Sequence, residues 1–274
     1  MASNSEFQSV GNQGWPQGFA NLVRKENHLW WLTRRWWVQT LIWLAFISGL
    51  LAMFIWVVPS NTEGSTGESE IPPEVKCLIF ITWMSGIAPA IGVTMLGQDA
   101  ILNERQSGTM AWVLTKPASR SAFMLSKLIS NAFGILMTMV VFQVCSAYLL
   151  IFIATGQAFS PLHYAAMSGI IFLSLLFYLT LTLMLSTISN GRGLVIGIPL
   201  LIVLASQFIG RMLPAWLLDF LPWSLTASFG DAQASALYAA IGEPLPTWMP
   251  VITTAVWCLI FVGIAMWRLH REEF

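Results

Sequence analysis

The sequence predicts an all-α integral membrane protein of six transmembrane helices, with an N-terminal interfacial amphipathic helix, a cytoplasmic helix between spans two and three, and a re-entrant hairpin between spans five and six. Three observations lead there. Of 274 residues, 56% are hydrophobic and only 9% charged, with a mean hydropathy of +0.70, values that call for lipid as solvent. Uncharged runs of roughly 20 residues, the length that crosses a hydrocarbon core about 30 Å thick, recur along the chain. The basic residues gather on one side of those runs, as cytoplasmic loops do.

The segment 15–37 comes first. Phe19, Leu22, Val23, Leu29, Trp30, Trp36 and Trp37 alternate with Arg24, Lys25, Glu26, Arg34 and Arg35 at near-helical spacing. Tryptophan and arginine suit headgroup depth, so this reads as a helix lying in the inner interface and anchoring the chain. It precedes the first apolar run and looks unlike a cleavable signal, so the N-terminus is expected to be retained. Span one is 38–58 and span two 76–97, with Pro59 and the Pro72-Pro73 pair punctuating the polar stretch between them. The next uncharged stretch is too long for one crossing and breaks at Thr155-Gly156-Gln157 and Ser160-Pro161, giving spans 128–154 and 164–189. Span five, 194–211, is near the minimum length, and 249–268 closes the set.

Sidedness follows from the charges. Of the 13 basic residues only Lys76 and Arg211 fall on the side where Glu63, Glu68, Glu70, Glu74, Asp219, Asp231 and Glu243 collect. Both termini are therefore expected in the cytoplasm, in a multi-pass protein of the inner or plasma membrane.

The remaining segments are the loop 98–126 and the outer segment 212–248. Over 99–115 the loop suits a short helix, with Gly108 allowing close approach and Met110, Trp112, Val113 and Leu114 as its apolar face. Pro117 would end it and Ser119 would cap the helix that follows. In the outer segment Pro214, Pro222, Pro244 and Pro246 bound two apolar stretches, Ala215 to Leu221 and Ser235 to Ile241, neither of which can span. Short proline-bounded helices at membrane depth must be buried in protein or line a cavity, hence a re-entrant hairpin, the alternative being a loop on the outer surface.

Several function classes are excluded. No GxxxxGK[ST] phosphate loop occurs, nor HExxH, CxxC or GxSxG, so neither an ATPase of its own nor a membrane protease or lipase is expected. Cys77, Cys145 and Cys258 lack partners at metal-ligand spacing, and no metal site is expected. Balanced charge gives no hint of nucleic acid. The span cores carry no Asp, Glu, Lys or Arg, which argues against ion-gradient coupling. Gln143, Ser146, Thr180, Thr182, Ser186 and Gln207 are the polar side chains inside, expected to serve helix–helix contacts.

The loop carries a further pattern: Glu104, then Gly108-Thr109, Leu114, Pro117, Ser119-Arg120, and Lys127 opening the next helix. In order and spacing this resembles the cytoplasmic loop of ABC-2 type permeases, and the layout resembles theirs over nearly the whole chain. The resemblance implies the membrane-spanning subunit of an ATP-driven exporter and a coupling helix formed by the loop. It implies two copies of a separate ABC ATP-binding subunit, which bind the ATP and magnesium, no cofactor being expected in this chain. The coupling residues would be Asp99, Glu104, Arg105, Gly108, Thr109, Trp112, Leu114, Lys116 and Arg120. Glu104 and Arg105 would make charge-assisted contacts to the partner, and Trp112 with Leu114 would be its buried anchor. With one long cytoplasmic loop per chain, two ATPase subunits call for two such loops, hence a homodimer in lipid or a dimer with a similar chain. Arg211, Pro214, Asp219 and Pro222 are candidates for an outer gate, the two charges holding the hairpin. The uncharged interior suits lipids, amphipathic peptides or hydrophobic compounds. The alternative is a non-transporting membrane subunit that couples an ABC ATPase to assembly or signalling.

Overall fold

The computed structural model describes residues 18–57, 71–108, 119–189, 191–230 and 232–271. They form α1 (Phe19–Trp31), α2 (Arg35–Trp56), α3 (Pro73–Gln106), α4 (Arg120–Thr155), α5 (Pro161–Ile188), α6 (Arg192–Phe208), α7 (Ser235–Ile241) and α8 (Met249–Arg271). Five of these, α2 to α5 and α8, are long and apolar enough to cross a membrane, while α6 is a shorter apolar helix of 17 residues.

Boundaries follow local chemistry. The Thr33 hydroxyl donates to the Leu29 carbonyl (2.6 Å) and accepts from the Arg35 amide (3.3 Å), a side-chain turn that ends α1 and lets α2 begin. The interfacial helix therefore stops at Trp31, and Arg35, Trp36 and Trp37, expected on it, belong to the first span. Pro73 opens α3, which continues unbroken past the expected end of span two to Gln106. At 1.5 Å per residue that helix is about 50 Å long, more than a bilayer core needs, so its last turns project beyond the apolar layer. Asp99 to Gln106 is thus the continuation of α3 and not the start of a separate helix; 109–118 lie outside the described residues. Ser119 caps α4 as expected, its hydroxyl accepting from the Ala122 amide at 3.0 Å. The break between α4 and α5 falls where expected, at left-handed Gly156 and Pro161.

The packing is inside-out in the sense that lipid requires. The most apolar windows of α3 and α5 are 67% and 61% buried, against 17% and 22% for α2 and α8, so α3 and α5 form the centre and the other two its flanks. Leu78, Ile81, Val93, Leu175, Leu179 and Leu183 are fully buried at that centre, whereas Leu41, Met53, Leu201 and Leu259 face outward. Two spans contain a π turn, Leu44–Ser48 in α2 and Leu136–Val141 in α4, and the Ser48 and Ser146 hydroxyls bond at 2.8 Å between these helices.

Of the interior polar groups, Ser146 and Gln207 make the expected helix–helix contacts, Gln207 accepting from the Trp83 indole at 3.2 Å. Thr182 packs on Gly97 of α3 and the Thr180 hydroxyl meets the Cys258 thiol of α8, while the Thr180, Thr182 and Ser186 hydroxyls each also return to a carbonyl four residues earlier on α5, at 2.7–2.8 Å. Gln143 is buried with neither amide atom hydrogen-bonded.

Candidate functional site at the charged end of the helices

At the end of the bundle where α3 finishes and α4 begins, charged side chains concentrate. Lys127, one of the largest fully buried side chains, donates to Glu26 Oε1 on α1 at 3.1 Å and pairs with Glu104 Oε1 on α3 at 3.1 Å. Glu104 also meets the half-exposed Lys25 at 3.4 Å. A lysine held between two carboxylates is the arrangement that makes a buried ammonium tolerable, since an isolated one would shed its proton or unfold its surroundings. The ring of Phe123 lies 5.0 Å from the same ammonium.

One turn along, α1 is fixed to α4 a second time. The Trp30 indole donates to Asn131 Oδ1 at 3.1 Å, and the Asn131 amide donates to the Lys127 carbonyl at 2.8 Å. Trp30 lies flat on Gly134, where a Cβ would come within 2.6 Å of the indole ring. Glycine is required there by the close approach of the ring.

The arginines beside the loop serve as caps. Arg105 Nη1 donates to the Thr187 carbonyl (3.0 Å) and the Ser186 carbonyl (3.4 Å), at the C-terminus of α5. Arg120 Nη1 donates to the Leu269 and His270 carbonyls, both at 2.9 Å, at the C-terminus of α8. These are carbonyls without intrahelical partners, at the negative ends of two helix dipoles. Asp99 accepts from Asn103 at 3.1 Å, and Asn103 in turn accepts from Arg192 at the start of α6 at 2.9 Å.

Of the coupling residues named from sequence, Asp99, Glu104, Arg105 and Arg120 therefore gather at one end. Gly108 sits at φ +70, the left-handed conformation that ends α3, with nothing of this chain within 4 Å of a Cβ. Thr109, Trp112, Leu114 and Lys116 lie outside the described residues. Glu104 and Arg105, expected to reach a partner, make these bonds within the chain. Glu26 and Trp30, expected only as parts of the amphipathic helix, and Asn131, not expected at all, belong to this cluster. A signal was present: Lys127, Ser130, Asn131 and Gly134 form a polar and small stripe at helical spacing on an otherwise apolar helix.

At the other end, residues 209–248 fold back against the bundle. A turn at Pro222–Leu225 buries Pro222, Trp223 and Leu225, and Thr226 sits on Gly86, where a Cβ would overlap its side chain. Gly86 lies roughly 20 Å along α3 from Pro73, well inside the apolar layer. The helix expected at Ser235 to Ile241 is α7, packed against α5 and α3. Arg211 and Asp219 line one cavity of about 250 Å³ and are not bonded to each other. Backbone carbonyls tie this segment in place: Asp219 O accepts from the Thr253 hydroxyl (2.8 Å), Phe220 O from the Trp257 indole (3.1 Å), and Leu218 O from the Ser224 hydroxyl (3.1 Å). Pro214 is exposed at the rim.

The ABC-2 family transporter protein model matches residues 20–274, nearly the whole chain. The chain belongs to the ABC-2 transporter family. It is also 24% identical over 284 residues to a protein of Stutzerimonas stutzeri described as "Probable ABC transporter permease protein NosY", covering 93% of this chain and 95% of that relative. As an ABC-2 permease the chain is a multi-pass membrane subunit of an ABC transporter that works with an ATP-binding subunit and does not itself hydrolyse ATP. The ABC-2 assignment gives the crowded end of α3 and α4 its context. The segment between those helices is the one whose flanks are bonded to four other helices.

Proposed function

We propose that this ABC-2 permease exports a lipid, an amphipathic peptide or another hydrophobic compound, driven by ATP hydrolysed in two separate subunits that dock on the segment between α3 and α4. The observation that carries the reading is how the flanks of that segment are tied. Glu104 with Lys127 reaches α1, Arg105 reaches the end of α5, Asn103 the start of α6, and Arg120 the end of α8. A displacement of residues 107–119 is felt at once by most of the bundle, which is what a coupling element requires. In this reading α6 is the sixth span, both termini face the ATPase side, and a second copy of the chain supplies the second docking segment. The turn at Pro222, reaching Gly86, then forms a re-entrant outer gate with Arg211, Pro214 and Asp219 at its rim. The uncharged span cores favour an apolar passenger.

Within the docking segment, Trp112 and Leu114 are the apolar anchor and Thr109 and Lys116 its polar neighbours. Truncating an aromatic anchor typically costs about 2 kcal/mol, roughly thirtyfold in affinity. The Trp112→Ala chain, co-purified with its ATP-binding subunit in lipid, is expected to insert normally while losing bound partner or transport-linked ATP turnover. Wild-type partner retention together with wild-type coupled turnover would show that force enters elsewhere. Passage of a labelled lipid or peptide into proteoliposomes separates an exporter from a subunit that drives assembly or signalling.

A further inference from the structure

The cavity that follows α6, lined by residues from Gly210 to Gln233, has an unusual lining. Gly210, Leu213, Leu218, Ala227 and Phe229 give it an apolar wall, and among the described residues the charged ones that line the same space of about 250 Å³ are one cation, Arg211, and one anion, Asp219. Among the described residues neither side chain has a hydrogen bond or ion pair, although the two share one cavity. Opposite charges that line a common space without pairing select a ligand bearing both signs. A purely anionic or purely cationic ligand would meet one like charge. The volume lies below the range of about 300–1,000 Å³ that holds drug-sized molecules, so a small headgroup fits and a folded peptide does not.

The surroundings say what the headgroup is attached to. Phe208, Ile209, Met212, Trp216 and Phe220 interleave in sequence with the cavity-lining residues, and all are exposed, Met212 at 84% and Phe208 at 76%. Large exposed apolar side chains next in sequence to the lining of a charged pocket suit acyl chains outside and a headgroup within.

We propose that this cavity binds the headgroup of a zwitterionic phospholipid of the phosphoethanolamine type. Arg211 holds the phosphate through its planar fork of donors, and the Asp219 carboxylate receives the ammonium. Gln233, which lines the same cavity, can supply a neutral donor and acceptor. The assignment does not rest on the exporter reading, because binding here needs neither nucleotide nor an ATP-binding subunit.

The test uses the full chain in detergent micelles, with native mass spectrometry counting retained lipid and thermal unfolding confirming that each variant is folded. The probes are phosphatidylethanolamine, phosphatidylglycerol and free phosphoethanolamine. Wild type is expected to prefer phosphatidylethanolamine over phosphatidylglycerol by about tenfold, one charge-assisted contact. Arg211→Ala should weaken both lipids to a similar degree, whereas Asp219→Asn should erase the preference and leave phosphatidylglycerol unharmed. Equal binding of the two lipids by wild type, or undiminished phosphatidylethanolamine binding by both folded variants, would overturn the assignment. Free phosphoethanolamine binding as tightly as the lipid would overturn the membrane as its source. Failure of proteoliposome transport, by contrast, would leave this site untouched and bear only on the exporter reading.

Discussion

Replacing Lys127 by methionine keeps the length and apolar body of the side chain and removes only its charge. Glu26, 7% exposed, and Glu104 then face each other without the ammonium that holds them. Breaking a buried ion pair by deleting one partner costs about 3–5 kcal/mol, most of it the stranded charge. Lys25 gives a calibration, since it meets Glu104 while its side chain is 50% exposed, and such a pair is worth about 0–1 kcal/mol. Lys127→Met should therefore destabilise the chain by about 3 kcal/mol, and Lys25→Met by less than about 1. At about 2–4 °C per kcal/mol for a chain of this size, the first change lowers Tm by about 6–12 °C and the second is barely visible. The triple variant Glu26→Gln, Lys127→Met, Glu104→Gln removes all three charges together and should recover most of the loss, because a neutral filling of the same volume is often no worse than the ion cluster. Thermal unfolding of each purified variant in one detergent gives the comparison. A Lys127→Met Tm within about 2 °C of wild type, or a Lys25→Met loss as large, would refute the account of a buried cluster holding α1 to α3 and α4.

Two further outcomes are expected. In a chain lacking its native cysteines, Ser65→Cys and Glu243→Cys should react with an impermeant thiol reagent added outside and Ser107→Cys should not; the opposite labelling pattern would invert the orientation. Gly86→Val drives a side chain into Thr226 and should lower stability by about 1–3 kcal/mol through overpacking, with part recovered by adding Thr226→Gly, and a Tm unchanged by the single substitution would show that the Pro222 turn does not sit at that depth.

Five of the spans were legible because each rests on a long uncharged run, and several of their ends because single residues punctuate them: Pro73, Ser119, Gly156 and Pro161 all mark boundaries that the structure keeps. The break at Thr33 was missed because the amphipathic pattern runs on through it, whereas the turn depends on one hydroxyl bonding in both directions. The reach of α3 to Gln106 was missed for a related reason. Hydropathy falls at Gly97, but a helix leaving the membrane needs only backbone bonds to continue. The candidate site was half visible. Glu104, Arg105 and Arg120 could be named from their order, but apart from Lys127 beside Glu104 their partners lie 79 to 150 residues away along the chain, and no local pattern states such pairings. Arg211 and Asp219 could be named as costly charges; that they line one cavity without meeting is a fact of three-dimensional placement.

The π turn in the middle of α4 changes what one helix can be asked to do. Each added residue advances the helical phase by about 100°, so the stripe below the turn and the stripe above it point in different directions. Below it, Lys127, Asn131 and Gly134 look toward α1; above it, Phe142–Thr155 contacts α2 and α3. An uninterrupted α-helix of the same sequence could satisfy one of these neighbours only by turning its back on the other. Deleting a single residue between Leu136 and Val141 would restore perfect α geometry and misalign half the helix. The extra residue acts as a gear offset that lets one continuous rod engage two neighbours set at different angles.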